Sequence, residues 1–277
     1  MIRNFFFNLL LIISLLLILF IIILSTVGIE TIRFNKLISE KISQTKNVKL
    51  ELKTINYKLS LKELSLFVET KKPKIEYNNL LIPSQSIKVY VDFLNLFQNN
   101  LKIKKINLIL SEIDIIQLNK LSQFIKPSNF KNILNNRIKD GKLISEIEIF
   151  FNKDGLLNNY IIKGDVVDLE ANIYRGLNLS KTKFSFFADK EDILIKNIFG
   201  NIENIQIKDG DMKLNLEDGL KVSSNFNTEI DLNSEFLKRN EILFKNNKIF
   251  DEIKFLIGNF SNSLSLNFDD TFKLINY

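Results

Sequence analysis

From Val48 onward the chain alternates between apolar and polar residues with a period of two. Leu50 and Leu52 are separated by charge, and after a phase slip at Thr54 the series resumes with Ile55, Tyr57, Leu59 and Leu61. Leu64, Leu66 and Val68 follow, then Ile75 and Tyr77, then Ile87, Val89 and Val91. Each series predicts a short strand with one dry face, and a phase slip such as Thr54 predicts a bulge. Lys71-Lys72-Pro73 and Pro83-Ser84 predict turns between strands. Asp92–Gln98 reads as a short helical or irregular link, and strands resume at Leu101, Ile106 and Ile113. Ile116–Ile125 and Ser128–Asn136 read as helices separated by Pro127, with Ser128 as the cap of the second, so a helical insertion is expected over about 116–136. A second strand region starts near Arg137 and runs to Phe268, with Gly164 mid-strand and a short helix-like stretch at Ser234–Asn240. Asp140-Gly141, Asp209-Gly210 and Asp218-Gly219 are read as its turns. Strands at this spacing predict a meandering antiparallel sheet, and the missing βαβ rhythm argues against a nucleotide-binding α/β fold.

Before Val48 the pattern is different. Phe5–Val27 is uncharged, and only Asn8, Ser14, Ser25 and Thr26 are polar. A helix crossing a bilayer needs roughly 20 apolar residues, so residues 1–28 are read as a transmembrane anchor. A cleaved signal stays open, because Thr26 and Gly28 are small, although the apolar core exceeds the usual 7–15 residues or so. A buried helix of a soluble domain fits poorly, since nothing later in the chain is apolar enough to surround it. Residues 29–47 are expected to continue the helix as a juxtamembrane segment, and 48–277 to form the β-domain. Arg3 alone precedes the anchor, whereas Arg33, Lys36, Lys41, Lys46 and Lys49 follow it. Counting basic residues would keep the far side in the cytoplasm, but long domains translocate largely regardless of charge. The reading is therefore N-terminus in, with the β-domain across the membrane.

Composition narrows the chemistry. With no cysteine, the 277-residue chain has neither disulfides nor thiolate metal sites, and with no histidine it lacks the commonest general base. The net charge of +6 comes from scattered lysines and shows no nucleic-acid footprint. Paired carboxylates occur at Asp209 and Asp211, Glu217 and Asp218, Asp251 and Glu252, and Asp269 and Asp270. Three of these pairs sit in Asp-Gly turns or loop-like stretches and are read as turn residues rather than as a hydrolytic pair. Neither a calcium loop nor a Gly-rich phosphate loop is present. Asn178-Leu179-Ser180 and Asn259-Phe260-Ser261 match the glycosylation sequon, which chance explains in an asparagine-rich chain. Phe184, Phe186, Phe187, Phe199, Phe226, Phe255 and Phe268 fall in strand-like segments and serve either as core or as an apolar lining.

Four stretches carry a family resemblance. They are the anchor leading through Asn35–Ile38 into Asn47–Glu69, then Ile82–Leu118, Tyr160–Ile173, and the strand-turn repeat of Ile198–Phe226 with Gly200, Gly210 and Gly219. Together they resemble the AsmA-like family of envelope proteins, which includes the TamB and YhdP relatives. The likeness is one of layout over nearly the whole chain. It implies a mainly β fold with an N-terminal transmembrane helix, the strands forming a long, curved, taco-like antiparallel β-groove with a small helical insertion. It also implies a single-pass inner-membrane protein with its bulk in the periplasm, conducting phospholipid toward the outer membrane. Members that span the periplasm are far longer. Some 15–18 strands at roughly 4.8 Å would reach only about 70–85 Å, which suits an N-terminal portion or a short member. The residues expected to face lipid are Leu50, Leu59, Leu66, Ile103, Leu108, Ile149, Leu169, Phe186, Ile207, Leu214, Val222 and Phe268. Neither catalysis nor a cofactor or metal is expected. The partners expected are membrane phospholipid and other envelope proteins, not nucleic acid. The alternative is a membrane-tethered scaffold or assembly factor that binds a protein partner through its β-domain, by strand addition at an open edge.

Overall fold

In a computed structural model the chain is mostly antiparallel β-structure behind one long N-terminal helix. The structure describes all residues except 1, 33–34, 36–38, 40–46, 64, 92–102, 125–128, 153, 175–176, 218, 234–254, 270–273 and 277. The expected link at Asp92–Gln98, the Ser128 cap and the helix-like stretch at Ser234–Asn240 lie outside the described residues. Two compact units divide the chain: Met1–Ser111 with Glu146–Tyr160, and Glu112–Ser145 with Ile161–Tyr277.

The first unit opens with α1, Ile2–Thr26. Its Phe5–Thr26 portion of 22 residues has a mean hydropathy of 3.3 and none of it is buried by the rest of the chain. At about 1.5 Å per residue it is about 33 Å long, enough for a hydrocarbon core of about 30 Å. Gly28 closes the helix with φ +81°, and its N–H donates to the Ile23 carbonyl at 2.9 Å. A left-handed residue at this position is the usual helix stop. The chain then enters β1, Ile29–Thr31, which pairs antiparallel with β3, Ile55–Ser60. This corrects the expected helical continuation over 29–47 at its start: the glycine stop turns the backbone into a strand. Farther along, Asn35 and Ser39 are helical, in keeping with the expectation, and most of the remainder of that stretch lies outside the described residues.

The other strands of this unit are β2 (Val48–Glu51), β4 (Ser65–Lys71), β5 (Lys74–Tyr77), β6 (Leu80–Ile82), β7 (Ser84–Val91) and β8 (Ile103–Leu110). β2, β5 and β6 form a separate three-stranded sheet in which Leu50 pairs with Ile75 and Ile75 with Ile82. The phase slip at Thr54 is therefore a change of sheet between β2 and β3, not a bulge within one strand.

The second unit carries β9 (Ile113–Asp114) and two helices, α2 (Ile115–Ser122) and α3 (Asn129–Asn136), at the expected insertion. Asp114 caps α2 by accepting the Gln117 N–H at 2.8 Å. Leu134 of α3 is 2% exposed. Long strands follow: β10 (Ile138–Phe151), β11 (Leu157–Tyr174), β12 (Leu177–Ala188), β13 (Asp192–Ile202), β14 (Ile205–Asn215), β15 (Leu220–Asn233), β16 (Phe255–Phe268) and β17 (Leu274–Asn276). β10 and β11 contribute residues to both units. Hydrogen bonding runs in the order β1-β3-β4-β7-β8-β10-β11-β12-β13-β14-β15-β16-β17, with β9 beside β10.

Asp140-Gly141 and Asp209-Gly210 do not turn the chain: they lie inside β10 and β14. In β14 the register against β15 slips between Ile207 and Asp209. Ile207 pairs with Thr228 and Gly210 with Phe226, so three residues of β14 span two of β15. That is a bulge, and a bulge shifts the alternation by one just as a turn does. Similar slips occur between Val166 and Leu169 in β11 and between Ser180 and Lys183 in β12. Asp168 (φ +52°) in β11, Lys181 (φ +50°) in β12 and Asn197 (φ +55°) in β13 take left-handed conformations.

Candidate functional site

Directly paired residues of an antiparallel ladder lie on the same face of the sheet, so the strand registers assign each paired residue to a side. In the first unit, Ile29 pairs with Tyr57, Tyr57 with Val68, Val68 with Val89, Val89 with Ile106 and Ile106 with Ile149. This row starts one residue after the helix stop and crosses six strands, a span of roughly 24 Å at about 4.8 Å per strand. A parallel row joins Leu59, Leu66, Val91 and Ile103, and another joins Ile87, Leu108 and Ile147. Five of the expected lipid-facing residues, Leu59, Leu66, Ile103, Leu108 and Ile149, therefore share one apolar face. Leu50 does not join them. It belongs to the three-stranded sheet, where it pairs with Ile75 and is 7% exposed, because the chain changes sheet between residues 51 and 55.

The opposite face of the first unit is charged, and its register explains the pairing. Glu69 stands opposite Lys88 and next to Lys58, whose Nζ donates to its Oε2 at 2.9 Å. Lys88 Nζ lies 3.8 Å from its other oxygen. Lys105 donates to Glu63 at 2.7 Å, lies 3.9 Å from Glu148, and sits 4.4 Å from the Tyr90 ring centroid. Tyr90 stacks on Phe67 at 5.1 Å. Burial first, and then the surrounding carboxylates, push the Tyr90 phenol up from its ordinary value. No sequence signal marked this cluster, because its members come from five segments that only strand pairing brings together.

In the second unit the apolar face spans β11 to β16. One row joins Gly164, Phe186, Ile195, Met212, Ser224 and Leu264. Beside it runs Ile162, Ala188, Ile193, Leu214, Val222 and Leu266. Past the bulges, Leu169 pairs with Thr182, and Gly200, Ile207, Thr228 and Phe260 form a further row. Phe268 pairs with Leu220 at the end of β16, on the same side as Val222 and Leu266. All six expected residues of this unit, Leu169, Phe186, Ile207, Leu214, Val222 and Phe268, fall on this one face. Each bulge keeps it apolar: without the extra residue in β14, Met212 and Leu214 would point away from the side that holds Ile205 and Ile207.

The reverse side is polar, with Lys163, Asp165, Lys196, Lys213, Asn225 and Glu229 among its residues. Phe184, Phe186, Phe226 and Phe268 lie on the apolar side, whereas Phe187, Phe199 and Phe255 lie on the polar one. Phe199 there receives the Lys183 ammonium 5.0 Å from its ring centroid.

Burial separates an open face from a closed core. In a packed core most apolar residues fall below a tenth exposed. Among the described residues on the apolar face of the second unit, only Ile198, Ile207 and Leu232 do so, while Phe184, Phe186, Ile195, Met212, Leu214 and Val222 are half-buried and Leu264 is 47% exposed. Small residues bring neighbouring side chains down onto the sheet. A Cβ on Gly200 would lie 2.2 Å from Thr182 Oγ1, and one on Gly210 would lie 2.3 Å from the Phe226 ring.

The carboxylate pairs offer less. Asp209 and Asp211 are not turn residues but neighbours on the polar side of β14, beside a shallow hollow shared with Asn225, Asn227, Ser261 and Ser263. Asp211 accepts the Asn197 N–H at 3.2 Å. Among the described residues, no group of three acidic side chains could hold a metal. Asp192 is held below the usual aspartate range, first by the Lys213 ammonium at 2.8 Å and then by Asn215 at 2.9 Å. Comparison with protein-family models, curated proteins and solved structures found no match to this chain.

Proposed function

We propose that the chain is a membrane-anchored lipid-handling protein of the cell envelope, which holds phospholipid acyl chains against its apolar sheet faces and carries out no catalysis. In this reading α1 is a retained single-pass anchor in the inner membrane, the β-structure stands on the periplasmic side, and the protein serves phospholipid transport to the outer membrane. The observation that carries it is the unbroken row from Ile29 to Ile149, which begins directly after a helix long enough to cross a bilayer. An acyl chain leaving the membrane beside α1 meets apolar side chains strand by strand. Each Å² of apolar surface removed from water is worth about 25 cal/mol. A two-chain lipid covering several hundred Å² therefore gains on the order of 10 kcal/mol before ordering costs.

The test uses neighbouring phenylalanines on opposite faces. A photo-crosslinking amino acid at Phe186, in the full chain in its native membrane, should label phospholipid, and the same group at Phe187 should not. Equal labelling at both positions, or labelling at neither, would refute the reading. Protease added to spheroplasts checks the orientation: digestion of the β-domain is expected, and full protection would place it in the cytoplasm.

A further inference from the structure

Among the described residues, β16 presents an unguarded edge. It is paired with β15 along its whole length, Leu220 with Phe268 through to Asn233 with Phe255, with no register slip. On its other side β17 pairs only with Asn267 and Phe268. Among the described residues, nothing pairs with that side from Phe255 to Leu266, and Phe255, Ile257 and Leu264 are 69%, 67% and 47% exposed. Natural sheets guard such an edge with charge, proline or a bulge. β16 reads FLIGNFSNSLSLNF and has none of these. The covered strands beside it do carry charge: Lys208, Asp209, Asp211 and Lys213 on β14, and Lys221, Glu229 and Asp231 on β15. Charge is thus spent where pairing is already complete and withheld where an edge is open.

We propose that this edge is an interface for a second copy of the same chain, joined by antiparallel β16–β16 pairing about a two-fold axis. The strand is self-complementary, which favours a second copy over an unrelated strand. It contains no charge, so placing it against itself meets no like-charge repulsion. Continuing both faces across the axis requires like-facing residues to stand opposite each other. The midpoint of the free span lies between Phe260 and Ser261, and Ser261 is the one small enough to oppose itself. A register centred there sets Leu256 opposite Leu266 and Gly258 opposite Leu264 on the apolar side. On the polar side it sets Asn259 opposite Ser263, residues that can donate to and accept from one another. An isologous contact of this kind uses the edge once on each copy and closes. The inference rests on strand pairing alone and stands apart from the lipid reading.

The natural chain has no cysteine, so single cysteines report only contacts between copies. The purified full chain in detergent should have the mass of two copies by light scattering. Ser261→Cys should cross-link to itself with a short bis-maleimide at least tenfold more than Gln206→Cys, placed on the polar side of covered β14. Ser261→Lys sets two ammonium groups face to face and should lower the dimer fraction at least tenfold with thermal unfolding unchanged. If that variant unfolds early, Ser263→Lys, also exposed, takes its place. A single-copy mass would overturn the proposal. So would a dimer indifferent to both lysine variants, equal cross-linking at residues 206 and 261, or cross-linking in native membranes to a different protein only.

Discussion

Replacing Leu214 by aspartate distinguishes an open apolar face from a closed core. Leu214 stands between Ile193 and Val222 and is half-buried. Full burial of a leucine contributes about 1.5–3 kcal/mol, and Leu214 buries about two-thirds of its surface or more, so losing that contact costs about 1–3 kcal/mol. The new carboxylate at a half-buried site reaches water and escapes the desolvation penalty of several kcal/mol that an enclosed charge carries. The total for Leu214→Asp is then about 1–3 kcal/mol, a fall in Tm of roughly 2–12 °C at about 2–4 °C per kcal/mol for a chain of this size. Leu232 is the reference. It is 3% exposed and packs against Leu177, Ile205, Ile230 and Leu256. Leu232→Ala should cost about 2–5 kcal/mol, and Leu232→Asp should prevent folding. The assay is thermal unfolding of the purified full chain by circular dichroism, beside mass spectrometry of the co-purified lipid. Leu214→Asp should keep its fold and lose most of its lipid. If it unfolds as completely as Leu232→Asp, or keeps its lipid while folded, the open apolar face is wrong.

Three further outcomes follow from particular contacts. A Cβ at Gly164 would lie 2.2 Å from the Ile144 carbonyl oxygen, so Gly164→Ala must push β10 away from β11 and should destabilise by about 1–3 kcal/mol in urea titration; an unchanged midpoint would contradict the close approach. Glu69→Ala leaves Lys58 and Lys88 without their shared carboxylate and should cost about 1–3 kcal/mol, with Glu69→Gln recovering part of it. Asp192 has a folded-state pKa below its unfolded value and Lys213 one above. Their contribution is therefore complete between the two unfolded values. It is lost as pH falls through the lowered Asp192 pKa or rises through the raised Lys213 pKa, and Asp192→Asn should flatten the acid limb of a stability–pH profile.

Much of this protein was legible in its sequence because the informative signals are local. An uncharged apolar run from Phe5 to Val27 spans a bilayer's thickness whatever follows it. Period-two alternation states strand and dry side together, so eleven of the twelve expected residues fall on the apolar face of their own unit. The apolar spacing of Ile116–Ile125 and Ser128–Asn136, with Pro127 between them, was enough to place the helical insertion, while the Asp114 cap emerged only from the structure. What tertiary structure alone decided concerns non-local pairing. A phase slip reads the same whether the chain turns, bulges or changes sheet: Asp209-Gly210 is a bulge inside β14, residues 52–54 lead from one sheet to another, and Leu50 is left with Ile75 and Ile82. The helical stretch expected from residue 29 is interrupted at its start, where the Gly28 stop turns the chain and β3 pairs with Ile29–Thr31, whereas Asn35 and Ser39 farther on are helical. The cluster of Glu69, Lys58, Lys88 and Lys105 exists only once β3, β4, β7 and β8 are in register. An alternating strand carries its own faces, but it carries no record of which strand will lie beside it. That choice belongs to backbone hydrogen bonds between segments far apart in the chain, and only the folded sheet makes it.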